Sequence, residues 1–378
     1  SNNNLGGRLP SFDCPQLVVL DLSSNNLSSH IPDSFRSLQN LQSLHLENNS
    51  LTGRIPWSLH HCRQLVVLDL GENRLSGDIP TWIGLHLPLL RVLRLRSNFF
   101  RGNISFPNSH LTNLQVLDLA DNNLSGILSP SSLNFSAMLQ TLNVDKPMIE
   151  NHYGYKESLM VTVKGMEFVY TTVLSLVTSI DLSCNGFYGE IPKDLTELHG
   201  LVFLNLSRNH FTGEIPENIG AMKQLESLDL SMNNLSGSIP TSMSNLNFLG
   251  HLNLSHNNLS GRIPSGNQLQ SFIDPSIYSG NLELCGWPLL ECSINEPSQA
   301  PSHEGGDTEE KKDEIDVIWI YGITASGFII GFWTVIGTLL IKVSWRITYF
   351  QLVDKFYDWV YVKLAISIAR WKSIILKD

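Results

Sequence analysis

One phrase recurs along most of this chain: Leu-x-x-Leu-x-Leu, two further residues and then Asn, at a period close to 24 residues. It begins at Leu17, Leu41, Leu65, Leu90 and Leu114, and resumes at Val177, Leu201, Leu225 and Leu249, nine copies in all. A unit of that size cannot bury its own apolar side, so neighbouring coils must stack into a solenoid with one continuous core. The expected fold class is an α/β solenoid. The leucines point inward, and the x positions form a short parallel strand on the concave face, where they are expected to meet solvent and serve as the readout surface. The Asn that follows, at 25, 49, 73, 98, 122, 185, 209, 233 and 257, sits where each coil leaves its strand. A buried carboxamide there can donate to and accept from the backbone along the stack.

The second half of each unit also repeats: LSGDIP at 75–80, FTGEIP at 211–216, LSGSIP at 235–240 and LSGRIP at 259–264. Glycine suits a tight backbone path, and proline ends a pairing strand while pre-setting its dihedral. This form resembles the plant-specific leucine-rich repeat, and the resemblance implies a second small sheet and a superhelical twist.

Charge divides the chain. Apolar residues make up 42% and charged residues 16%, with a net charge of −10, which argues against a nucleic-acid partner. Residues 304–316 carry seven acids against Lys311 and Lys312, and the tail from Lys342 carries seven bases against three acids. Between them, 317–341 run without a formal charge. At about 1.5 Å per residue that stretch is about 37 Å long, enough to cross a hydrocarbon layer of about 30 Å with some tilt. Trp319 and Tyr321 at one end, and Trp345 and Tyr349 at the other, suit the two interfaces. The expectation is one transmembrane helix with the repeats outside, a type I plasma-membrane protein. Nine Asn-x-Ser sequons agree with an extracellular array: Asn26, Asn48, Asn103, Asn123, Asn134, Asn205, Asn234, Asn253 and Asn258. Asn205 and Asn253 fall on exposed concave positions in this reading. Cys285 and Cys292 have the spacing of a small disulfide loop in a terminal cap, whereas Cys14 and Cys62, two repeats apart, read as buried thiols.

The repeats break once. Leu139, Leu142 and Val144 start another strand, the pattern dissolves at Asp145, and it returns at Val177. Alternation at Leu159, Val161 and Val163, a Lys164-Gly165 turn, then Met166, Phe168 and Tyr170 predict a β-hairpin packed against the solenoid. Tyr155, eight residues and Lys164-Gly165 match the island signature of plant receptor-like proteins. Four repeats, a CGxPL cap, an acidic juxtamembrane stretch, one span and a short basic tail follow in the order that family shows. The chain thus resembles the Cladosporium, Verticillium and xylanase-elicitor resistance receptors. The expected division is repeats over 1–144, island over 145–176, repeats over 177–267, cap over 268–295, acidic linker over 296–316, span over 317–341 and cytoplasmic tail over 342–378. Residues 1–10 read as the second half of a repeat, so the array is expected to be truncated at its N-terminus.

The resemblance implies a cell-surface receptor without its own kinase. Such receptors sense a protein, peptide or glycan ligand in defence and signal through a leucine-rich-repeat receptor kinase adaptor and a somatic-embryogenesis-type co-receptor kinase. It assigns ligand or co-receptor contact to Tyr155, Lys164 and Gly165. A developmental peptide-receptor subunit, or an extracellular inhibitor or decoy of a cell-wall-degrading enzyme, are the alternatives. Two further features come from the residues themselves. His45, Asp69, Arg94 and Asp118 occupy one x position in successive repeats, with Arg91 and Arg96 beside them, as a ligand-reading stripe or an exposed charge ladder. Gly327 and Gly331 form a GxxxG face in the span that permits close helix packing. The tail is too short for a kinase domain, no cofactor is implied, and the twelve histidines show no metal-ligand spacing, so no enzymatic or metal site is expected.

Overall fold

The computed structural model describes residues 3–106, 111–129, 135–139, 157–163, 166–170 and 177–292. These belong to a compact unit that runs from Ser1 to Asn295, the rest of the chain forming a second unit. The span at 317–341, with Gly327 and Gly331, and the linker and tail lie outside the described residues, as do Tyr155, Lys164, Gly165 and Asn134. Among the described residues no helix is long and apolar enough to cross a membrane.

Every coil uses the same sequence of local choices. The Leu-x-Leu segment forms a three-residue strand, and nine of these stack in parallel into one sheet: Val19–Asp21, Ser43–His45, Val67–Asp69, Val92–Arg94, Val116–Asp118, Ser179–Asp181, Phe203–Asn205, Ser227–Asp229 and His251–Asn253. The register never slips, so Leu44 faces Leu68, Leu68 faces Leu93 and Leu93 faces Leu117. That inward column continues through Ile180, Leu204, Leu228 and Leu252, all at 2% exposure or less. Full burial of each such side chain stabilises by about 1.5–3 kcal/mol.

The Leu-Ser-Gly half forms a second parallel sheet of eleven strands. Its glycines sit in the left-handed region, Gly213 at φ 75° for example, where a Cβ would be strained. Prolines 32, 56, 192, 216 and 240 then stand before short 3₁₀ turns that form the outer side of the coil. These turns stack closely: a Cβ on Gly220 would collide with the carbonyl of Ser242 in the next coil.

The asparagine ladder ties the coils together. Asn73 Nδ2 donates to the carbonyls of Leu46, Leu70 and Gly71, while its Oδ1 accepts from the amide of Leu51. The same pattern recurs up to Asn257 and then at Asn281, which sequence reasoning missed. Asn281 was hidden because Tyr278, rather than leucine, stands three residues before it, its carbonyl accepting from Asn281 Nδ2.

The solenoid does not pause at the break in the repeats. Val116–Asp118 pairs directly with Ser179–Asp181, and Ser125–Ile127 pairs with Gly186–Tyr188 in the second sheet. Asn185 reaches the Leu119 carbonyl across 66 residues, where the equivalent bond of Asn122 spans 27. The sheet therefore has no rung between these two strands, and Leu142, Val144 and the boundary expected at 144 lie outside the described residues. Residues 136–138 form the 3₁₀ turn of the interrupted coil, with the Ala137 amide on Thr112 and the Gly200 amide on Met138. Within the interruption, Leu159–Val163 pairs antiparallel with Met166–Tyr170.

At the C-terminal end Glu283–Cys285 adds the last strand of the second sheet, and Cys285 is joined to Cys292. Cys62 is buried, its thiol pushed up to about 11 by burial. Cys14 is exposed, contrary to expectation, and precedes Val19–Asp21, the end strand of the inner sheet among the described residues.

Candidate functional site

The outward positions of the inner strands were expected to be open, and in the middle of the array they are buried. Asp69 and Arg94 are each 1% exposed, with His45 and Asp118 nearly as enclosed. Two things close the surface. Successive rungs place opposite charges side by side, and residues 157–159 of the inserted segment lie over the strands. Leu159 packs with Val67, Val92, Val116 and Phe203, the apolar row beside the charged one. Glu157 Oε1 lies 2.6 Å from His45 Nε2, a contact between residues 112 apart in the chain.

Arg94 is the hub. Its Nη1 donates to both oxygens of Asp69 at 3.2 and 3.3 Å, its Nη2 donates to Glu72 at 2.8 Å, and its Nε lies 3.6 Å from Asp118 Oδ2. Arg96 completes the pairing with Asp118 at 3.1 Å. Gly71 makes room for this, since a Cβ there would stand 2.8 Å from Arg94 Nη1. Arg91 donates through Nε to Gln115 at 2.9 Å. His45, Asp69, Arg94, Arg96 and Asp118 are thus brought together, and the exposed-ladder reading is corrected to a buried network. Pairs of this kind behave differently from surface pairs: removing one partner leaves a buried charge, at a cost of about 3–5 kcal/mol.

Sequence reasoning missed four acids of the network, Glu47, Glu72, Asp181 and Glu157. Asp181 was findable, because it holds the stripe position of the coil that starts at Val177. Glu47 and Glu72 follow the strands of His45 and Asp69 at short range. Glu157 had no local signal at all.

Acids outnumber bases here, and the titration behaviour follows. Burial pushes the Asp69 carboxyl up, with Glu47 adding to the effect, and the attraction of Arg94 and His45 does not cancel it. Burial and the neighbouring Asp118 push the Asp181 carboxyl up to about 6. Burial opposes the charged form of His45, yet Glu157, Glu47 and Asp69 overcome it and raise its pKa to about 10. Burial also opposes the Arg94 cation, and Asp69, Asp118 and Glu72 outweigh it, so the guanidinium is held charged. The stripe's chemistry is charge recognition, met largely by pairs within the chain.

The sequon residues divide by position. Asn26, Asn48, Asn103, Asn123, Asn234 and Asn258 are exposed. Asn205 and Asn253 are half-buried rather than open, and each side-chain oxygen accepts from the amide and hydroxyl of the serine two residues on.

Known proteins share this architecture. The leucine rich repeat family models match residues 15–75 and, separately, 113–135, 200–222, 224–246 and 248–279. Among solved structures, the Arabidopsis receptor kinase HAESA, crystallised with the peptide hormone IDA and the co-receptor SERK1, aligns at a TM-score of 0.56 and 30% identity, covering 75% of this chain and 45% of that one. The chain carries the leucine-rich-repeat solenoid of plant receptor ectodomains. More particularly, it fits the plant receptor-like proteins of the EIX type. It is 52% identical to receptor-like protein EIX2 of Solanum lycopersicum over 60% of its own length, and 47% identical to EIX1 of the same plant over 64%. It spans 22% and 24% of those two relatives.

Proposed function

We propose that this chain is the membrane-proximal part of a cell-surface receptor-like protein that senses an extracellular protein, peptide or glycan ligand in plant defence. The 52% identity to receptor-like protein EIX2 is the observation that carries this reading. The uninterrupted solenoid beneath an inserted segment supports it, because such an array offers a long surface with one specialised region. In this reading the uncharged stretch at 317–341 anchors the chain in the plasma membrane with the repeats outside, and the six exposed sequons carry glycans. Signalling passes through a leucine-rich-repeat receptor kinase adaptor, with a SERK-type co-receptor kinase joining the complex, as the HAESA complex with SERK1 suggests by analogy. Tyr155, Lys164 and Gly165 belong to the ligand or co-receptor contact. Arg91, Arg94 and Arg96 are proposed to act on ligand only where the covering segment is displaced.

Co-precipitation from plant membranes tests the anchoring and partner claims together. The full chain should recover the adaptor kinase, and replacing Gly327 and Gly331 with Leu should reduce that recovery several-fold while leaving membrane association intact. Recovery of the chain in the soluble fraction, or undiminished co-precipitation by the double variant, would contradict the reading.

A further inference from the structure

The ring of His45 stands between two carboxylates at unequal distances. Glu157 takes one side: its Oε1 accepts from Nε2 at 2.6 Å, which fixes the ring and turns Nδ1 toward the neighbouring rungs. There Glu47 Oε2 lies 3.5 Å from Nδ1, and this oxygen is shielded from solvent and accepts no hydrogen bond. A charge-assisted bond would close to about 2.7–2.9 Å. Two ligands of one tetrahedral ion, with bonds of about 2.0–2.2 Å, stand about 3.4 Å apart. Asp69 supplies a third atom, and the three ligand atoms of His45, Glu47 and Asp69 all lie within 4.8 Å of one another. A carboxylate on the far nitrogen of a histidine is the arrangement that orients metal-ligating imidazoles and raises their basicity.

We propose that His45, Glu47 and Asp69 form a binding site for one divalent transition-metal ion, with Glu157 holding the imidazole in its ligating orientation. One nitrogen and two carboxylates suit a borderline cation such as Zn²⁺ better than Ca²⁺, which favours oxygen alone. Acids outnumber bases in this network, and a dication that displaces the proton of His45 adds one net positive charge to it. Glu47, whose side chain is 24% exposed, gives the ion a path from solvent. Histidine pairs read along a sequence could not reveal this site, because Asp69 stands one full coil from His45 and Glu47 and meets them only through stacking.

Calorimetric titration of Zn²⁺ into the chelator-treated full chain tests the proposal, with X-ray absorption at the zinc edge reporting the ligands. One ion should bind per chain, through one nitrogen and otherwise oxygen donors at about 2.0–2.2 Å. Glu47→Gln and Glu157→Gln should each weaken binding about 10- to 100-fold, and His45→Gln should weaken it at least as much. His60→Gln/His61→Gln, at a separate histidine pair on the outer side of the array, should bind as the parent does. Glu47→Gln is isosteric at a half-buried edge, so an unchanged thermal midpoint in the absence of zinc certifies its fold and makes it decisive on its own. No zinc uptake by the parent chain, uptake unaffected by Glu47→Gln, or a ligand set of several imidazoles would overturn the proposal.

Discussion

At the scale of single residues, the chain is held by polar groups that the interior forces into partnership. Asn209 shows the ladder's logic, since its carboxamide serves the carbonyls of Leu182, Leu206 and Ser207 and the amide of Phe187. Asn209→Ala takes a side-chain partner from the Leu182 and Leu206 carbonyls and the Phe187 amide, while the Ser207 carbonyl keeps the Cys184 amide, and a loss of about 2–4 kcal/mol is expected, read as a thermal midpoint several degrees lower. A surface-like loss below about 0.5 kcal/mol would contradict that role. Asp181 makes the opposite case. Its folded pKa is raised from an ordinary 3.8 to about 6, so its favourable contribution is complete below pH 3.8 and is lost as pH rises through 6. Asp181→Asn removes this dependence and keeps the bonds from Ser183, because Asn205 makes the same pair of bonds to Ser207 one rung away. The variant should match the parent near pH 3.5 and exceed it at pH 7 by an amount on the order of 1–3 kcal/mol. Equal midpoints at both pH values would mean that Asp181 is not perturbed. The Asn positions, and the glycines of the second half-repeat, were legible in the sequence because each answers a local demand of its own coil. The burial of His45, Asp69, Arg94 and Asp118 was not, because it depends on Glu157 and Leu159 arriving from a distant segment.

At the scale of elements, the two sheets and the outer turns are set by spacing that cannot vary. A tight point lies between the 3₁₀ turns Glu217–Ala221 and Thr241–Asn245, where Gly220 meets the Ser242 backbone. A methyl group there meets a carbonyl rather than a flexible side-chain end, so relief requires the coils to part. Gly220→Ala is expected to destabilise the array by about 2–3 kcal/mol, with amide exchange accelerated first in 217–245. Unchanged exchange in that window would show that the turns have slack. Sequence reading found these elements, and at one rung it met two matching segments. Leu139, Leu142 and Val144 reproduce the spacing of a repeat strand, and only the direct pairing of Val116–Asp118 with Ser179–Asp181 shows that Val177, Ile180 and Leu182 take that place. Two segments matched one rung, and local pattern alone could not choose between them.

At the scale of the molecule, the solenoid explains how a chain with nine near-identical coils acquires one distinct region. The inserted segment adds no rung. It supplies a cover, with Leu159 on the valine row and Glu157 on His45, so the middle of the concave surface becomes interior while the remaining coils keep their regular form. Continuity of the array beneath the insertion is the claim on which the rest depends. Excising residues 139–176 joins Met138 to Val177 with a spacing of 25 residues from Leu114, the same as that from Leu65 to Leu90. The most direct measurement is thermal unfolding of the excised chain followed by far-ultraviolet circular dichroism. A parent-like strand spectrum and one cooperative transition, lowered only by the lost cover, are predicted. A loss of strand signal, or separate transitions for the coils before and after the junction, would contradict the account.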